Sequence, residues 1–318
     1  MSSWIPASEQ RVAVITALAA NVAIAVAKFG ASAITGSSAM FAESLHSLAD
    51  SVNEVLLLLG ARRARRPADL RHPFGHARYR YVYAFIVSLT VFWIGGVLAV
   101  IEGVSHLSAH EPLGDPRWAF AVLAVAAVLE GLSLRTTVRA GRPTKGGLSW
   151  QELLQATKAP EIIVVFLEDL GALIGIAIAL IGVGLATVTG VEAWDAIASI
   201  AIGVLLMTIG LAVNRETQSL LVGESAAVDV VFTIREAIEG TDGVEALVEL
   251  RTIHVGPDDL VIAAAIEVDP SRDAIAITRS IVDAEAAVRE VTPFRTVIYI
   301  EPRLPAPPPS PGGGSRVG

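Results

Sequence analysis

Long apolar runs alternate with short polar connections through the first two thirds of the chain. Six runs, roughly 10–33, 37–61, 79–105, 117–137, 160–188 and 192–213, each extend about 20 residues or more, the length a helix needs at 1.5 Å per residue to cross a ~30 Å hydrocarbon core. They predict six transmembrane helices. The second run is the most polar and is expected to face the protein interior. Past Arg215 the pattern changes. Ala226–Glu239 reads as a helix that stops at Gly240, and Asp273–Val291 has helical spacing. Val244–Val255 and Leu260–Val268 alternate in part as strands around the turn signal Gly256-Pro257-Asp258-Asp259, and Thr296–Ile300 is β-branched and aromatic. The expected fold class is a polytopic α-helical membrane protein followed by a small cytoplasmic α+β domain of order αββαβ, ferredoxin-like. The expected divisions are 1–215 for the six-helix membrane domain, 216–303 for the cytoplasmic domain and 304–318 for a disordered tail, LPAPPPSPGGGSRVG, too rich in Pro and Gly to bury a core.

Composition agrees with this division, since 53% of the 318 residues are apolar and only 18% are charged. The first residues lack the basic region and cleavage site of a signal peptide, so the first apolar run reads as a retained helix. Basic residues set the orientation. The connection between the second and third runs carries Arg62, Arg63, Arg65, Arg66, Arg71, Arg78 and Arg80, and that between the fourth and fifth carries Arg139, Arg142, Lys145 and Lys158. The opposite connections carry Arg117 alone. By the positive-inside bias both termini are cytoplasmic. A net charge of −8 gives no footing for nucleic acid, and with no cysteine any metal must be held by His, Asp and Glu.

Such residues stand where they are least expected. Ala42–Asp50, AESLHSLAD, lies inside the second run. His46 and Asp50 are four apart and Glu43 three before His46, so all share one helix face. The fifth run holds a second pair, Glu168 and Asp169. An ionisable side chain at bilayer depth costs roughly 2.5–3.5 kcal/mol on insertion scales. His46, Asp50 and Asp169, with Glu168 or Glu43 as a fourth, have the types and number for tetrahedral zinc. The set is oxygen-rich, which leaves Mn²⁺, Fe²⁺ and Co²⁺ open beside Zn²⁺, and Cd²⁺ is a further candidate cargo. Such ligands bind metal when deprotonated, so a site alternating its access would exchange metal for protons, with His46 the natural coupling residue. Buried polar residues bracing helix packing are the competing explanation.

These residues carry a resemblance. Asn21 and Lys28, Gly36-Ser37, AESLHSLAD and the loop DLRHPFGHAR over Asp69–Arg78 resemble the cation diffusion facilitator family of metal/proton antiporters, over about 1–303. The resemblance implies a secondary transporter, not an enzyme, that exports a divalent cation, Zn²⁺ first, and needs no cofactor. It implies a homodimer, in a bacterial cytoplasmic membrane on this reading. It places paired ligands on helices two and five. His46 and Asp50 match the first pair and Asp169 the second member of the other, while its first member falls on Val165, which cannot coordinate metal. Glu168 then substitutes, as in the branch of the family with Glu-Asp at this point, and Glu43 is a further ligand or a support behind the ligands. The resemblance also implies a loop site at Asp69, His72 and His76, against which a simple turn with its histidines bonded to backbone is the alternative.

Weaker features complete the reading. His254, with Asp258 and Asp259 nearby, is a single histidine and predicts no binuclear site in the soluble domain. Glu102, His106, His110 and Glu111 form a polar end to the third run, and Gly171 and Gly175 permit close helix approach. A static membrane metal sensor or scaffold is the alternative function. An intramembrane metal-dependent hydrolase is a third, disfavoured by the absence of HExxH.

Overall fold

The computed structural model describes residues 7–109, 114–145 and 158–304. They fall into two compact units, Met1–Leu221 and Val222–Gly318. The first is helical: α1 (Ala7–Thr35), α2 (Ser38–Ala64), α3 (Tyr79–Thr90), a π-helical stretch (Val91–Val97) that continues α3 into α4 (Leu98–Ala109), α5 (Arg117–Lys145), α6 (Pro160–Thr189) and α7 (Ala193–Val222). Four stretches among the described residues, Tyr79–Ser108, Arg117–Arg139, Pro160–Thr189 and Ala193–Val222, are long and apolar enough to cross a membrane, which makes this a helical membrane domain. α2 falls short on hydropathy because Glu43, His46 and Asn53 are buried within it. α7 runs seven residues past Arg215, the end of the last apolar run, because Leu220 and other apolar residues continue its buried face.

α2 is the centre of the unit, packing against α1, α3, the π stretch, α4 and α6. Its start is tightly specified. Gly36 takes φ +64°, a conformation that L side chains rarely adopt, and turns the chain out of α1. The Ser37 hydroxyl caps α2 by accepting the Met40 amide at 3.1 Å. Asp195, in the first turn of α7 and buried, then holds this end from outside. Its Oδ1 accepts the Ser37 hydroxyl at 2.6 Å, and its Oδ2 accepts the Ser38 amide at 2.6 Å and the Ser38 hydroxyl at 2.9 Å. A carboxylate there satisfies helix-end donors and matches the positive end of the helix dipole. The π stretch meets α7 at Gly96 and Gly203. A Cβ on Gly96 would lie 3.0 Å from the Gly203 carbonyl oxygen, and one on Gly203 would lie 2.7 Å from that of Gly96, so neither backbone leaves room for a side chain.

The second unit is α8 (Val228–Glu239), β1 (Ala246–Gly256), β2 (Asp259–Glu267), α9 (Ala274–Val291) and β3 (Arg295–Arg303). β1 pairs antiparallel with β2 (His254 opposite Leu260), and β2 pairs parallel with β3 (Ile262 opposite Ile298). The antiparallel pair needs only the Gly256-Pro257-Asp258 turn, whereas the parallel pair needs α9 as its crossover. Ile234, Ile238, Leu260, Ile262, Ile266 and Val288 form one buried cluster between helices and sheet. The Pro/Gly-rich tail from 305 onward lies outside the described residues.

Replacing Asp195 with alanine strips the acceptor from buried amide and hydroxyl donors, a loss of about 1–3 kcal/mol. The expected result is a lower unfolding midpoint in detergent for Asp195→Ala, with Asp195→Asn falling between it and the parent. An unchanged midpoint for Asp195→Ala would show that the α2 end is held by packing alone.

Candidate metal centre

The polar residues of α2 sort into two levels. Glu43 and Ser47 meet Lys28 of α1, whose Nζ donates to Glu43 Oε2 and Ser47 Oγ at 2.8 Å each. Lys28 and Glu43 are wholly buried. The other oxygen of Glu43 takes no hydrogen bond and packs against Gly175 of α6, where any Cβ would collide with it. Gly171 similarly makes room for Ile209. The structure therefore commits Glu43 to an ion pair, away from the cavity described next.

One turn on, His46 Nε2 lies 3.5 Å from Asp50 Oδ2. The imidazole is buried, and neither of its nitrogens takes a hydrogen bond. Asp50, Glu168 and Asp169 all line one cavity of about 650 Å³ enclosed by α1, α2, α5 and α6. Each carboxylate on α6 draws donors from a neighbouring helix. Asn53 Nδ2 of α2 donates to Glu168 Oε1 at 2.6 Å, and the Ser133 and Thr137 hydroxyls of α5 donate to Asp169 at 2.9 and 2.7 Å. Among the described residues the cavity wall carries six carboxylates, Asp50, Glu54, Glu130, Glu161, Glu168 and Asp169, and no cationic side chain. Val165, one turn before Asp169, stands on the same wall. His46 lies behind Asp50 rather than on the wall. The four residues are not drawn within 4.8 Å of one another, as side chains of a closed metal cage would be; among the described residues only the loop group below meets that radius.

That group is Asp69, His72 and His76. His72 Nδ1 lies 3.2 Å from Asp69 Oδ1, and His76 Nε2 lies 3.6 Å from Asp69 Oδ2. The Pro67 carbonyl sits 3.0 Å from His76 Nδ1, which fixes the tautomer that turns Nε2 toward Asp69. The His72 and Arg71 backbone amides donate to Asp69 Oδ1 and, with the His72 amide the larger cause, hold its carboxyl below the usual range. The segment is thus a backbone-braced turn and a gathered ligand set together.

The remaining residues have local partners. His254 is buried edge-on to Phe294, its Nδ1 3.3 Å from the Gly256 carbonyl. Asp259 accepts from Arg295 at 2.9 Å. Glu102 and His106 pair at 3.2 Å, while His110 and Glu111 lie outside the described residues. Several groups escaped the reading from sequence: Glu54, held by Asn21 at 3.2 Å, Glu161, held by Arg80 at 3.0 Å, and Glu130, Ser133 and Thr137 of α5. The last three sit at i, i+3 and i+7 in an otherwise apolar helix, a polar stripe that sequence spacing alone could have exposed.

A family model described as the cation efflux transmembrane domain matches residues 14–222. The proton-coupled zinc antiporter SLC30A9, mitochondrial, of Xenopus laevis is 29% identical over 272 residues, which cover 84% of this chain and 48% of that protein. The protein of the same name in Homo sapiens is 30% identical over 280 residues, 86% of this chain and 48% of its own. Metal tolerance protein C4 of Arabidopsis thaliana is 26% identical over 257 residues, 80% and 56% respectively. The chain spans about half the length of these curated relatives.

Breaking a buried ion pair on one side costs about 3–5 kcal/mol, whereas replacing both members with apolar groups is often neutral. Lys28→Met is therefore expected to lower the unfolding midpoint in detergent sharply, and Lys28→Met with Glu43→Leu to recover most of the loss. A double variant as unstable as the single one would mean that the pair is not what holds α1 to α2.

Proposed function

Because the chain belongs to the cation efflux family, the cation diffusion facilitators, we propose that it moves a divalent metal cation, Zn²⁺ first, across a membrane in exchange for protons. Members of this family are transporters, not enzymes. The observation that carries the proposal is the cavity wall that Asp50, Glu168 and Asp169 share from two helices with no cationic side chain among the described residues that line it. Four carboxylate or imidazole donors, His46 included, suit a divalent ion, and the excess of oxygen keeps Mn²⁺, Fe²⁺ and Co²⁺ as candidates beside Zn²⁺.

The mechanism follows from the ligand chemistry. Carboxylates and imidazole bind the cation only when deprotonated, so loading releases protons and protonation discharges the ion. The cavity is walled by Leu58 and Ala61 near the end of α2 and by Glu161 in the first turn of α6. Arg62 and Arg63 close the same end of α2. We assign that end to the cytoplasm by the positive-inside bias, with six spanning helices and both termini cytoplasmic. The cavity then faces inward, and Lys28–Glu43 and the Asp195 clasp lie on its outward side. An inward proton gradient makes this geometry an exporter. Asp69, His72 and His76 would hold metal beside the inward mouth. The soluble unit, ferredoxin-like on its αββαβ order and strand pairing, would serve dimerisation. The bilayer assigned here is a bacterial cytoplasmic membrane.

Flux in proteoliposomes under an imposed pH gradient tests the proposal, with Zn²⁺, Mn²⁺, Fe²⁺, Co²⁺ and Cd²⁺ in parallel. Proton-dependent flux of at least one metal is expected, and Asp50→Ala should remove it. Gradient-dependent flux that survives Asp50→Ala would displace the site from α2. Under the same conditions His72→Ala with His76→Ala should slow transport without abolishing it. Complete loss would place the indispensable site in the loop instead.

A further inference from the structure

The six carboxylates on the cavity wall differ in one respect. Asp50 faces His46, Glu54 accepts from Asn21, Glu161 from Arg80, Glu168 from Asn53, and Asp169 from Ser133 and Thr137. Glu130 lines the same cavity and takes no hydrogen bond or ion pair among the described residues. It lies inside a helix apolar enough to span a membrane, where an ionisable group without a partner is costly. Its helix is already part of the site, because the hydroxyls that hold Asp169 stand three and seven residues further along the same face. A second observation points to a cation beside Asp50, on the wall that Glu130 shares. The His46 side chain is only 2% exposed, both its nitrogens are unbonded, and its Nε2 is turned toward Asp50, which shares the cavity wall with Glu130. On α6 the position one turn before Asp169 that reaches the wall is Val165, which offers no donor.

We propose that Glu130 is a further ligand for the transported divalent cation, so that α5 joins α2 and α6 as a ligand-bearing helix. This rests on the transport-site reading above. It adds a hard oxygen donor to a set with a single imidazole and so favours cations that accept carboxylate-rich coordination. The residue acts on the cargo directly, whereas Ser133 and Thr137 act by orienting Asp169.

The test is Zn²⁺ titration of the purified full chain by calorimetry, in a His72→Ala/His76→Ala background so that the loop does not report. Glu130→Gln, nearly isosteric, is expected to weaken binding at least fivefold, and Glu130→Asp to stay within threefold. Adding Val165→Asp to Glu130→Gln should restore affinity to within threefold, because the carboxylate is returned to the same cavity from the facing helix. A structural role for Glu130 would not be rescued from α6. A loss below fivefold for Glu130→Gln, or a loss that Val165→Asp does not restore, would overturn the inference. Asp50→Ala separates the two levels: loss of binding there with no effect of Glu130→Gln defeats only the role of Glu130, whereas intact binding in Asp50→Ala defeats the transport site itself.

Discussion

The cost of charge in a low-dielectric helix bundle organises this molecule. Nearly every ionisable group in the membrane unit is matched by a donor from a different helix: Glu43 by Lys28, Glu54 by Asn21, Glu168 by Asn53, Asp169 by Ser133 and Thr137, and Asp195 by Ser37 and Ser38. Each match ties two helices at a fixed register, because the alternative is an unsatisfied polar group away from water. α2 is party to four of the five, which is why a helix too polar to qualify as a span by hydropathy lies at the centre of the packing. Asp50, His46 and Glu130 stand apart: Asp50 Oδ1 and both nitrogens of His46 take no hydrogen bond, and Glu130 has no donor among the described residues.

The two ends of α2 are built for different purposes. At its start lie the Asp195 clasp, the Lys28–Glu43 pair and the close contact of Glu43 with Gly175. Toward its end lies the acidic cavity, lined from α1, α2, α5 and α6. A transporter that alternates its access must exchange these conditions. The polar contacts at the start of α2 are short and directional, and they sit beside the apolar core that Ala39, Met40, Ala42 and Leu45 join. A set of hydrogen bonds can reform in a new register, whereas an interdigitated apolar core resists continuous sliding.

Much of this was legible in the chain. The helix positions follow the apolar runs, and the αββαβ order follows from alternating and helical spacing. The face shared by His46 and Asp50 is a direct consequence of their four-residue separation. Local pattern did not reveal the partners. Lys28 and Glu43 are 15 positions apart and Ser37 and Asp195 are 158 apart, and nothing in either segment names the other. Glu43, which reads in sequence as a ligand or as a support behind the ligands, stands in an ion pair with Lys28. Glu130 is a lone acid with no histidine or carboxylate at helical spacing, and its only signal in the chain is the stripe it forms with Ser133 and Thr137 at i, i+3 and i+7. The π stretch at Val91–Val97 has no local signature beyond Gly95-Gly96, and α7 approaches it at Gly203.

The loop group and the membrane group make different demands on a metal. Asp69, His72 and His76 already lie within 4.8 Å of one another on a braced turn, whereas Glu168 and Asp169 of α6 are each held by donors from a neighbouring helix and would have to exchange those donors for an ion. On the proposed function, the loop would collect cargo and the bundle would pass it on. The most direct test is anomalous scattering at the zinc edge from crystals of the zinc-loaded protein. A peak between α2 and α6, within coordinating distance of Asp50 and Asp169, is the predicted result. Zinc found at Asp69, His72 and His76 alone would contradict the account.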